Sequence, residues 1–289
     1  MFSTGIFKSS RYQIEGLENG QRVYLVPFGD VHQDHEAHAA DAWETFRETY
    51  SKRTDCYYLG IGDYQDLMSS KERVVWNGCD FHETTVKAMV SGWEGKVMRF
   101  QEQIEFMRGR LLGLMEGNHF APFPSGITST QSMAKHFGVP YLGVVTFLRL
   151  TLCRGRGETV AGKCSLDIWA HHGRGCASTM GGSLNAVERM AKGAQADIYL
   201  MGHDHKRNIG TSSRLYLIDS VAGLEVKSRP QMYVRTGGWL RGYVDGEATY
   251  VADAGLTPAD IGNTEIEITY NRKQTADRTE HWLGLRGIA

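Results

Sequence analysis

The sequence lacks the features that mark membrane-spanning, secreted and disulfide-stapled proteins. Nowhere do about 18 apolar residues run together, and the opening MFSTGIFKSSRYQIEG lacks the apolar core of a signal peptide. The five cysteines are odd in number, widely spread and without a C-x-x-C pair, which argues against a disulfide framework or a thiolate zinc site. They are Cys56, Cys79, Cys153, Cys164 and Cys176. We therefore expect a soluble, cytoplasmic protein without a membrane partner.

An excess of charge of one sign is also missing. The chain has 32 Lys and Arg against 33 Asp and Glu, so its formal net charge is -1. This excludes a global basic field that gathers nucleic acid, and an anionic ligand must be held by local groups. The 289 residues, 41% of them hydrophobic, suffice for a substantial core. They fit one large domain or two small ones, and because no linker is evident we expect a single domain over residues 1–289.

Short apolar runs that end at Gly or His predict five strands buried on both faces. They read RVYLVPF, CYYLGI, LLGLM, LDIWA and ADIYLM. Helical periodicity lies between them at 37–50, 86–111 and 183–194. The middle stripe could be a partner-binding face or a coiled-coil seam, but one amphipathic helix packed on a sheet explains it better. This alternation indicates an α/β fold, in which ligands bind at the carboxyl ends of the strands.

Strand and turn patterns replace the alternation after residue 205. Four strand-like segments follow, separated by glycine-rich breaks, and they read SRLYLID, QMYVRTG, ATYVAD and TEIEITY. We expect these C-terminal strands, over residues 213–270, to complete a second sheet that packs on the first.

Possible metal ligands follow each of the five predicted strands. The stretches that carry them are Asp30-Val31-His32, Gly62-Asp63-Tyr64-Gln65-Asp66, Gly117-Asn118-His119, His171-His172-Gly173 and Gly202-His203-Asp204-His205. One such stretch arises by chance, but five in succession indicate a site. In an extended segment residues two apart point the same way, so Asp30 and His32 can reach one ion. Carboxylate, carboxamide and imidazole ligands without sulfur suit Mn, Fe or Zn, and we expect two ions.

The expected metal centre carries a net positive charge. Two divalent ions outweigh Asp30, Asp63 and one hydroxide by about one unit, because Asn118 is neutral where a third carboxylate would cancel the remainder. Such a centre binds a phosphate oxygen without help from the net charge of the protein. It also accepts a singly charged diester readily, which predicts a preference for diesters over monoesters.

The ordered series DVH, GDYQD, GNH, HHG and GHDH resembles the calcineurin-like metallophosphoesterases over residues 30–205, about 60% of the chain. The resemblance implies a four-layer αββα sandwich of two mixed β-sheets flanked by helices. It implies two ions, with manganese expected and iron or zinc as alternatives. One ion would be held by Asp30, His32, Asp63 and His205. The other would be held by Asp63, Asn118, His172 and His203, with Asp63 bridging the two. The tail from MYVRTGGWLRGY to ATYVADAGLTP is similar to phage- and prophage-borne members.

The same resemblance assigns two residues that are not ligands. His119 matches a histidine that protonates the leaving oxygen or stabilises the transition state, and Asp66 matches an acid that orients such a histidine. Phe120 departs from the family, which commonly has an acid there, so the site is expected to be more apolar. The HHG stretch leaves the ligand open between His172, which we prefer, and His171, which would then lie near the substrate.

Basic residues beside the ligand turns could grip a substrate phosphate or could be ordinary loop charges. They are Arg174, which could bind bidentately, Lys206 and Arg207. His35 and His38 are more simply solvated residues at a helix start than ligands.

We interpret the pattern as a dinuclear metal-dependent phosphoester hydrolase, most simply a nuclease or nucleotide phosphodiesterase. Tyr64, Trp76 and Phe81 could form an aromatic wall for a base, with core packing as the equal alternative for Trp76 and Phe81. A protein-serine/threonine phosphatase or other phosphomonoesterase is the second hypothesis, prompted by GDYQD. A non-catalytic binding module on the same fold is the third. The sequence leaves the oligomeric state open.

Overall fold

The computed structural model describes residues 9–175, 177–220, 223–247, 249–253, 255, 257–276 and 279–289. Within these ranges, two mixed sheets of seven and five strands form the centre of the protein, and six α-helices accompany them. Residues 1–8, part of the N-terminal stretch in which the sequence shows no signal-peptide core, and Cys176 lie outside the described residues. Cys56, Cys79, Cys153 and Cys164 are free thiols. No helix within the described ranges is both long and apolar enough to span a bilayer.

The seven-stranded sheet contains β1 (Ser9–Ile14), β5 (Val145–Arg154), β6 (Ala161–His171), β7 (Ile198–Met201), β8 (Arg207–Ser220), β9 (Gly223–Gly238) and β10 (Gly262–Asn263). Its order is β1-β5-β6-β7-β9-β10, and β8 pairs with β9 as a long antiparallel hairpin. The pairs β6·β7 and β7·β9 are parallel. Their carboxyl ends therefore meet at one edge of the sheet.

The five-stranded sheet contains β2 (Gln21–Phe28), β3 (Cys56–Gly60), β4 (Leu111–Leu114), β11 (Glu265–Gln274) and β12 (Thr279–Ile288). Its order is β12-β11-β2-β3-β4, and the pairs β2·β3 and β3·β4 are parallel. The carboxyl ends of β2, β3 and β4 thus form a second ligand-bearing edge.

One apolar core lies between the sheets, because each sheet turns an apolar face inward. Leu25 and Ile268 of the five-stranded sheet lie in the same buried cluster as Ile168 and Leu200 of the seven-stranded sheet. The outer face of the five-stranded sheet packs against helices that include α1 (Ala40–Ser51), α3 (Glu83–Gln103) and α4 (Ser129–Phe137). The outer face of the seven-stranded sheet packs against α5 (Met180–Glu188). The predicted αββα order of two mixed sheets is confirmed.

The predicted helices are present with shifted ends. The helix predicted at 37–50 begins at Ala40, and the one predicted at 183–194 ends as an α-helix at Glu188. The apolar stripe predicted as one helix at 86–111 forms a helix, α3, only as far as Gln103. The prediction was wrong beyond that residue, because Leu111 belongs to β4. Trp93, Val97 and Phe100 of α3 are buried against the sheet, as packing on a sheet requires.

Two helices were missed, α2 (Ser70–Gly78) and α4, and a short α6 (Tyr250–Asp253) was mistaken for a strand. Both missed helices begin with a capping box, in which an N-cap hydroxyl accepts the N3 backbone N–H and the N3 side chain accepts the N-cap N–H. The pairs are Ser69 with Glu72 and Thr128 with Gln131. These S/T-x-x-E/Q spacings were a signal that the sequence did carry.

The prediction that the C-terminal strands form a separate second sheet was wrong. Strands β8, β9 and β10 extend the sheet of β5, β6 and β7, while β11 and β12 extend the sheet of β2, β3 and β4. Each sheet therefore combines strands from distant parts of the chain. This mixing places both ligand-bearing edges side by side.

Candidate metal centre

The predicted ligands come together where the strand ends of the two sheets meet. The backbone N–H of Asp30, after β2, donates to the Gly62 carbonyl oxygen after β3 at 2.9 Å. Across the two sheets, the N–H of His203 after β7 donates to Asp30 Oδ2 at 2.7 Å. From β9, the N–H of Trp239 donates to the Asp30 carbonyl oxygen at 2.9 Å. Asp30 is thereby fixed between the sheets.

A first group of possible ligands consists of Asp30, His32 and His205, whose ligand atoms all lie within 4.8 Å of one another. His205 Nε2 lies 3.9 Å from Asp30 Oδ1. Asp30 and His32 are buried, and His205 is half-buried on the wall of a cavity. A carboxylate with two imidazoles suits a divalent transition metal.

A second group consists of Asp63, His172 and His203, and their ligand atoms also lie within 4.8 Å of one another. His172 Nε2 lies 3.0 Å from Asn118 Oδ1 and 3.3 Å from His203 Nδ1. The other ring nitrogen of His172 lies 2.9 Å from the Ile61 carbonyl oxygen, which fixes the ring and turns Nε2 toward the group. The structure thus brings His172 to this group and not His171.

Asp63 lies between the two groups. Its Oδ2 is 3.2 Å from His172 Nε2 in the second group and 3.9 Å from His32 Nε2 in the first. Its Oδ1 accepts the backbone N–H of His119 at 2.9 Å, which fixes the carboxylate plane. One carboxylate therefore faces both ligand sets.

Left-handed backbone is concentrated at these ligands. Among the described residues, the non-glycine residues with positive φ are Asp30 (49°), His32 (44°), Asp63 (49°), His203 (73°) and His205 (56°). Each costs conformational free energy and persists only where surrounding structure imposes it. The expected extended geometry for Asp30 and His32 was therefore wrong, because a left-handed turn brings their side chains together.

Several buried polar atoms in the first group have no hydrogen-bond partner within the described structure. They are Asp30 Oδ1 and both ring nitrogens of His32. Leaving such atoms unpaired is costly unless they coordinate an ion. The donor set and these unpaired atoms fit a divalent metal at this position.

Burial and neighbouring charges set the protonation of the ligands. Burial lowers the pKa of His203 to about 4 and that of His205 well below its usual value, so both imidazoles are neutral at pH 7. Burial raises the pKa of Asp30 to about 7. Although burial opposes ionisation of Asp63, the neighbouring His172 and His32 hold its pKa well below the usual range. His203 and His205 are thus in the neutral form that binds metal, and Asp63 is ionised. Burial lowers the pKa of His172, but Asp63 outweighs burial and raises it to about 9, so His172 must lose a proton when an ion binds.

His119 and Asp66 form an ion pair beside the ligands, with His119 Nδ1 against Asp66 Oδ1. Burial lowers the pKa of His119, but the Asp66 partner outweighs burial and raises it. Asp34 Oδ1 accepts the backbone N–H of Asp66 at 2.6 Å. Lys96 of α3 contacts Asp34 Oδ2. His119, Asp66 and His32 also form a third possible ligand group.

The remaining predicted residues lie outside the ligand groups. His171 is half-buried, and its Nδ1 accepts the Gly173 N–H at 2.8 Å. Arg174 is exposed and does not belong to the described lining of the cavity. Lys206 lines it but donates to the Ala177 carbonyl oxygen at 2.8 Å. Arg207 pairs with Asp260 at 3.0 Å, which favours a structural role.

His35 and His38, which follow the Asp30-Val31-His32 stretch, are not simply solvated residues. The prediction was wrong for His38, which is half-buried with Nδ1 2.9 Å from the Val31 carbonyl oxygen. His35 is partly exposed and lines the cavity, 3.9 Å from Asp66. Neither belongs to a ligand group among the described residues.

The proposed aromatic wall does not line the cavity. Tyr64 is 2% exposed and its hydroxyl donates to the Met115 carbonyl oxygen at 2.9 Å. Trp76 stacks on Phe81 with ring centroids 5.3 Å apart and packs with the α3 side of the core. These aromatic side chains therefore pack in the protein instead of lining the cavity.

Two arginines that support the ligand turns were missed. Arg73 of α2 donates to the Asn118 carbonyl oxygen at 2.7 Å, and its guanidinium lies 3.9 Å from the Phe120 ring centroid. Phe120 thus makes a cation–π contact where an acid would make a salt bridge. Arg235 of β9 is buried and donates to the Gly202 carbonyl oxygen at 2.7 Å. The RTG of QMYVRTG gave no sign that Arg235 turns inward.

A cavity of about 390 Å³ opens onto the ligands. Its lining includes His32, Asp63 and His205 of the ligand groups, together with His119 and Asp66. The ligands can therefore reach a bound molecule, and His119 lies where it can contact that molecule.

Comparison with known proteins adds one weak structural similarity. Neither a protein-family model nor a curated protein matches the chain. A solved structure of vacuolar protein sorting 29 from Cryptosporidium parvum is similar at 14% identity, with 93% of this chain and 99% of that chain covered and a TM-score of 0.34. At this identity and score the likeness says nothing about activity.

Proposed function

We propose that the protein is a dinuclear metal-dependent phosphoester hydrolase that acts on phosphodiesters. The observation that carries the proposal is the position of Asp63, whose Oδ2 faces His32 of one ligand group and His172 of the other. Buried, unpaired atoms of Asp30 and His32 support it, because they need an ion to be satisfied. We further propose that the protein is a calcineurin-like metallophosphoesterase of the phage type and that manganese is its metal.

The protein residues divide the work of such a reaction. Asp30, His32, Asp63 and His205 would hold one ion, and Asp63, Asn118, His172 and His203 the other. When bound, such a pair of ions supplies an activated nucleophile and stabilises charge on the phosphoryl oxygens. Asp66 holds Nδ1 of His119, which leaves Nε2 as the nitrogen that can donate a proton to the leaving oxygen. His119 belongs to the cavity lining, so it could contact a bound ester there.

The diester preference rests on charge. The ligands are two carboxylates, one carboxamide and imidazoles, so a centre with two divalent ions and one hydroxide would keep a positive charge of about one unit. Arg174 and Arg207 do not belong to the described cavity lining. The cations that do are engaged by other groups, Lys206 by the Ala177 carbonyl oxygen and Arg241 by Asp41. The narrower hypothesis of a nuclease or nucleotide phosphodiesterase loses its aromatic wall, since Tyr64, Trp76 and Phe81 do not belong to the described cavity lining.

Metal-dependent hydrolysis of bis(p-nitrophenyl) phosphate tests the proposal against a non-catalytic binding module. Chelator-stripped protein should gain activity when Mn²⁺ is added back, and Asp30→Asn should abolish most of that gain. The exposed Asp80→Asn is the matched control and should leave the activity unchanged. Binding of the ions without turnover of any phosphoester would support the binding module instead.

A further inference from the structure

The cavity has an apolar wall that no ligand group uses. Four aliphatic side chains line it, and they are Ala37, Leu240, Val251 and Ala259. Ala37 is buried and the other three are half-buried. The same cavity is lined by His119, so the apolar wall and the proposed proton donor share one space.

Main-chain hydrogen bonds attach this wall to the ligand turn. The N–H of Arg241 donates to the Ala37 carbonyl oxygen at 2.9 Å, and the N–H of Ala39 donates to the Trp239 carbonyl oxygen at 2.7 Å. Leu240 pairs with His38 in a β-bridge. The wall is therefore held at a fixed position relative to Asp30 and His32.

The segment that carries Val251 folds back on the segment that carries Leu240. Thr249 Oγ1 contacts the Gly242 carbonyl oxygen, and it accepts the N–H of Ala252 at the start of α6 at 3.2 Å. A Cβ placed on Gly242 would lie 2.8 Å from Val251 Cγ1, so only glycine allows this close approach. Val251 therefore packs closely against Gly242 and lines the cavity.

We propose that this wall is a binding subsite for an apolar, aliphatic ester group of the substrate. The inference rests on the proposed function, because it places the phosphoryl group at the ligands and one ester arm on the wall. An alkyl arm would be removed from water by Ala37, Leu240 and Val251. A nucleobase would need stacking or hydrogen-bonding partners, and the four wall residues offer aliphatic carbon instead. Of the polar residues beside them, Arg241 pairs with Asp41, Thr249 contacts the Gly242 carbonyl oxygen, and Thr257 is exposed.

A series of p-nitrophenyl alkyl phosphates, from methyl to pentyl, tests this subsite. The Mn-loaded protein should gain up to about fourfold in kcat/KM for each added methylene, which corresponds to about 0.8 kcal/mol per buried CH₂. Val251→Thr keeps the shape of the side chain but replaces one methyl group with a hydroxyl. It should lower kcat/KM three- to tenfold on the pentyl ester and leave the methyl ester nearly unchanged. The exposed Val74→Thr is the matched control and should keep the full gain.

Binding of methyl-, propyl- and pentylphosphonate to the Mn-loaded protein, followed by calorimetry, supplies a readout that needs no turnover. Affinity should rise with chain length, and Val251→Thr should flatten the rise. Diester hydrolysis without any dependence on chain length would overturn the subsite and leave the proposed function standing. Tenfold faster hydrolysis of thymidine 5′-p-nitrophenyl phosphate than of the pentyl ester would assign the wall to a nucleoside and also overturn it. If no ester is hydrolysed, the proposed function fails, and phosphonate affinity alone decides the subsite.

Discussion

The guanidinium of Arg235 lies 3.4 Å from the carboxylate of Asp204, and each side chain is only 1% exposed. Arg235 also donates to the carbonyl oxygen of Gly202. This buried ion pair therefore supports the turn that carries His203 and His205.

Arg235→Met should lower the free energy of unfolding by about 3–5 kcal/mol, because the buried Asp204 carboxylate loses its arginine and keeps neutral donors such as the Ser183 hydroxyl. Urea unfolding of the metal-free protein measures this. Arg149→Met is the matched control, since Arg149 pairs with Asp167 at the surface with half of its side chain exposed. That variant should lose less than about 1 kcal/mol. Similar losses in the two variants would show that the buried pair does not support the turn.

The left-handed backbone at His203 makes a second prediction about stability. His203→Gly should be more stable than His203→Ala by about 1–2 kcal/mol in the metal-free protein, because only glycine adopts a φ of 73° without strain. The order should reverse at the exposed Lys87 of α3, where alanine should exceed glycine by about 1 kcal/mol. Thermal unfolding of the four variants checks both orders. An alanine variant at 203 that matches or exceeds the glycine variant would contradict the strained geometry.

His119→Asn should retain both metal ions while kcat falls. Loss of a general acid is worth roughly 10² to 10⁴-fold, or about 3–5 kcal/mol of barrier. Asp66→Asn should give a smaller loss, because it removes the group that orients the imidazole and keeps the imidazole itself. Elemental analysis and steady-state kinetics on the same preparations separate the effects. Loss of an ion in His119→Asn would make His119 a ligand, as the third possible group with Asp66 and His32 would require.

The leaving group sharpens the test of His119. A p-nitrophenolate leaving group is already a stable anion and needs little protonation, whereas an alkoxide needs a full proton. His119→Asn should therefore lose more activity on a dialkyl or alkyl-leaving diester than on bis(p-nitrophenyl) phosphate. Equal losses on both would leave His119 an electrostatic or positioning residue.

Diesters should be hydrolysed in preference to monoesters. A centre of about one positive unit suits a singly charged diester. Arg174 lies outside the described cavity lining, and the lining cations Lys206 and Arg241 are engaged by the Ala177 carbonyl oxygen and Asp41. Comparison of kcat/KM for bis(p-nitrophenyl) phosphate and p-nitrophenyl phosphate decides it. A tenfold preference for the monoester would favour the phosphomonoesterase hypothesis.

The layers of the fold were predictable from the sequence, but the distribution of strands between the sheets was not. Strands such as Cys56–Gly60 are buried on both faces, so their apolar runs are visible in the sequence. The edge strand Ser9–Ile14 reads SSRYQI with only its last residue buried, and it pairs with residues 147–152. Its pairing depends on a partner far along the chain, which local pattern does not reveal.

The types of ligand were predictable, whereas their geometry and support were not. The sequence shows Asp30 and His32 two residues apart but not the left-handed φ of both. Arg235 pairs in register with Met201 through β7 and β9, and only this register brings its guanidinium to Gly202. Tertiary pairing of this kind carries no local signal in the sequence.

The number of metal ions bound per chain tests the central claim most directly. Protein reconstituted with excess Mn²⁺, then freed of unbound metal, should contain two ions by elemental analysis, because Asp63 faces two ligand groups. Asp63→Asn should lower both occupancies, and His119→Asn should keep two ions as the matched control. At most one ion per chain in the unsubstituted protein would contradict the dinuclear centre.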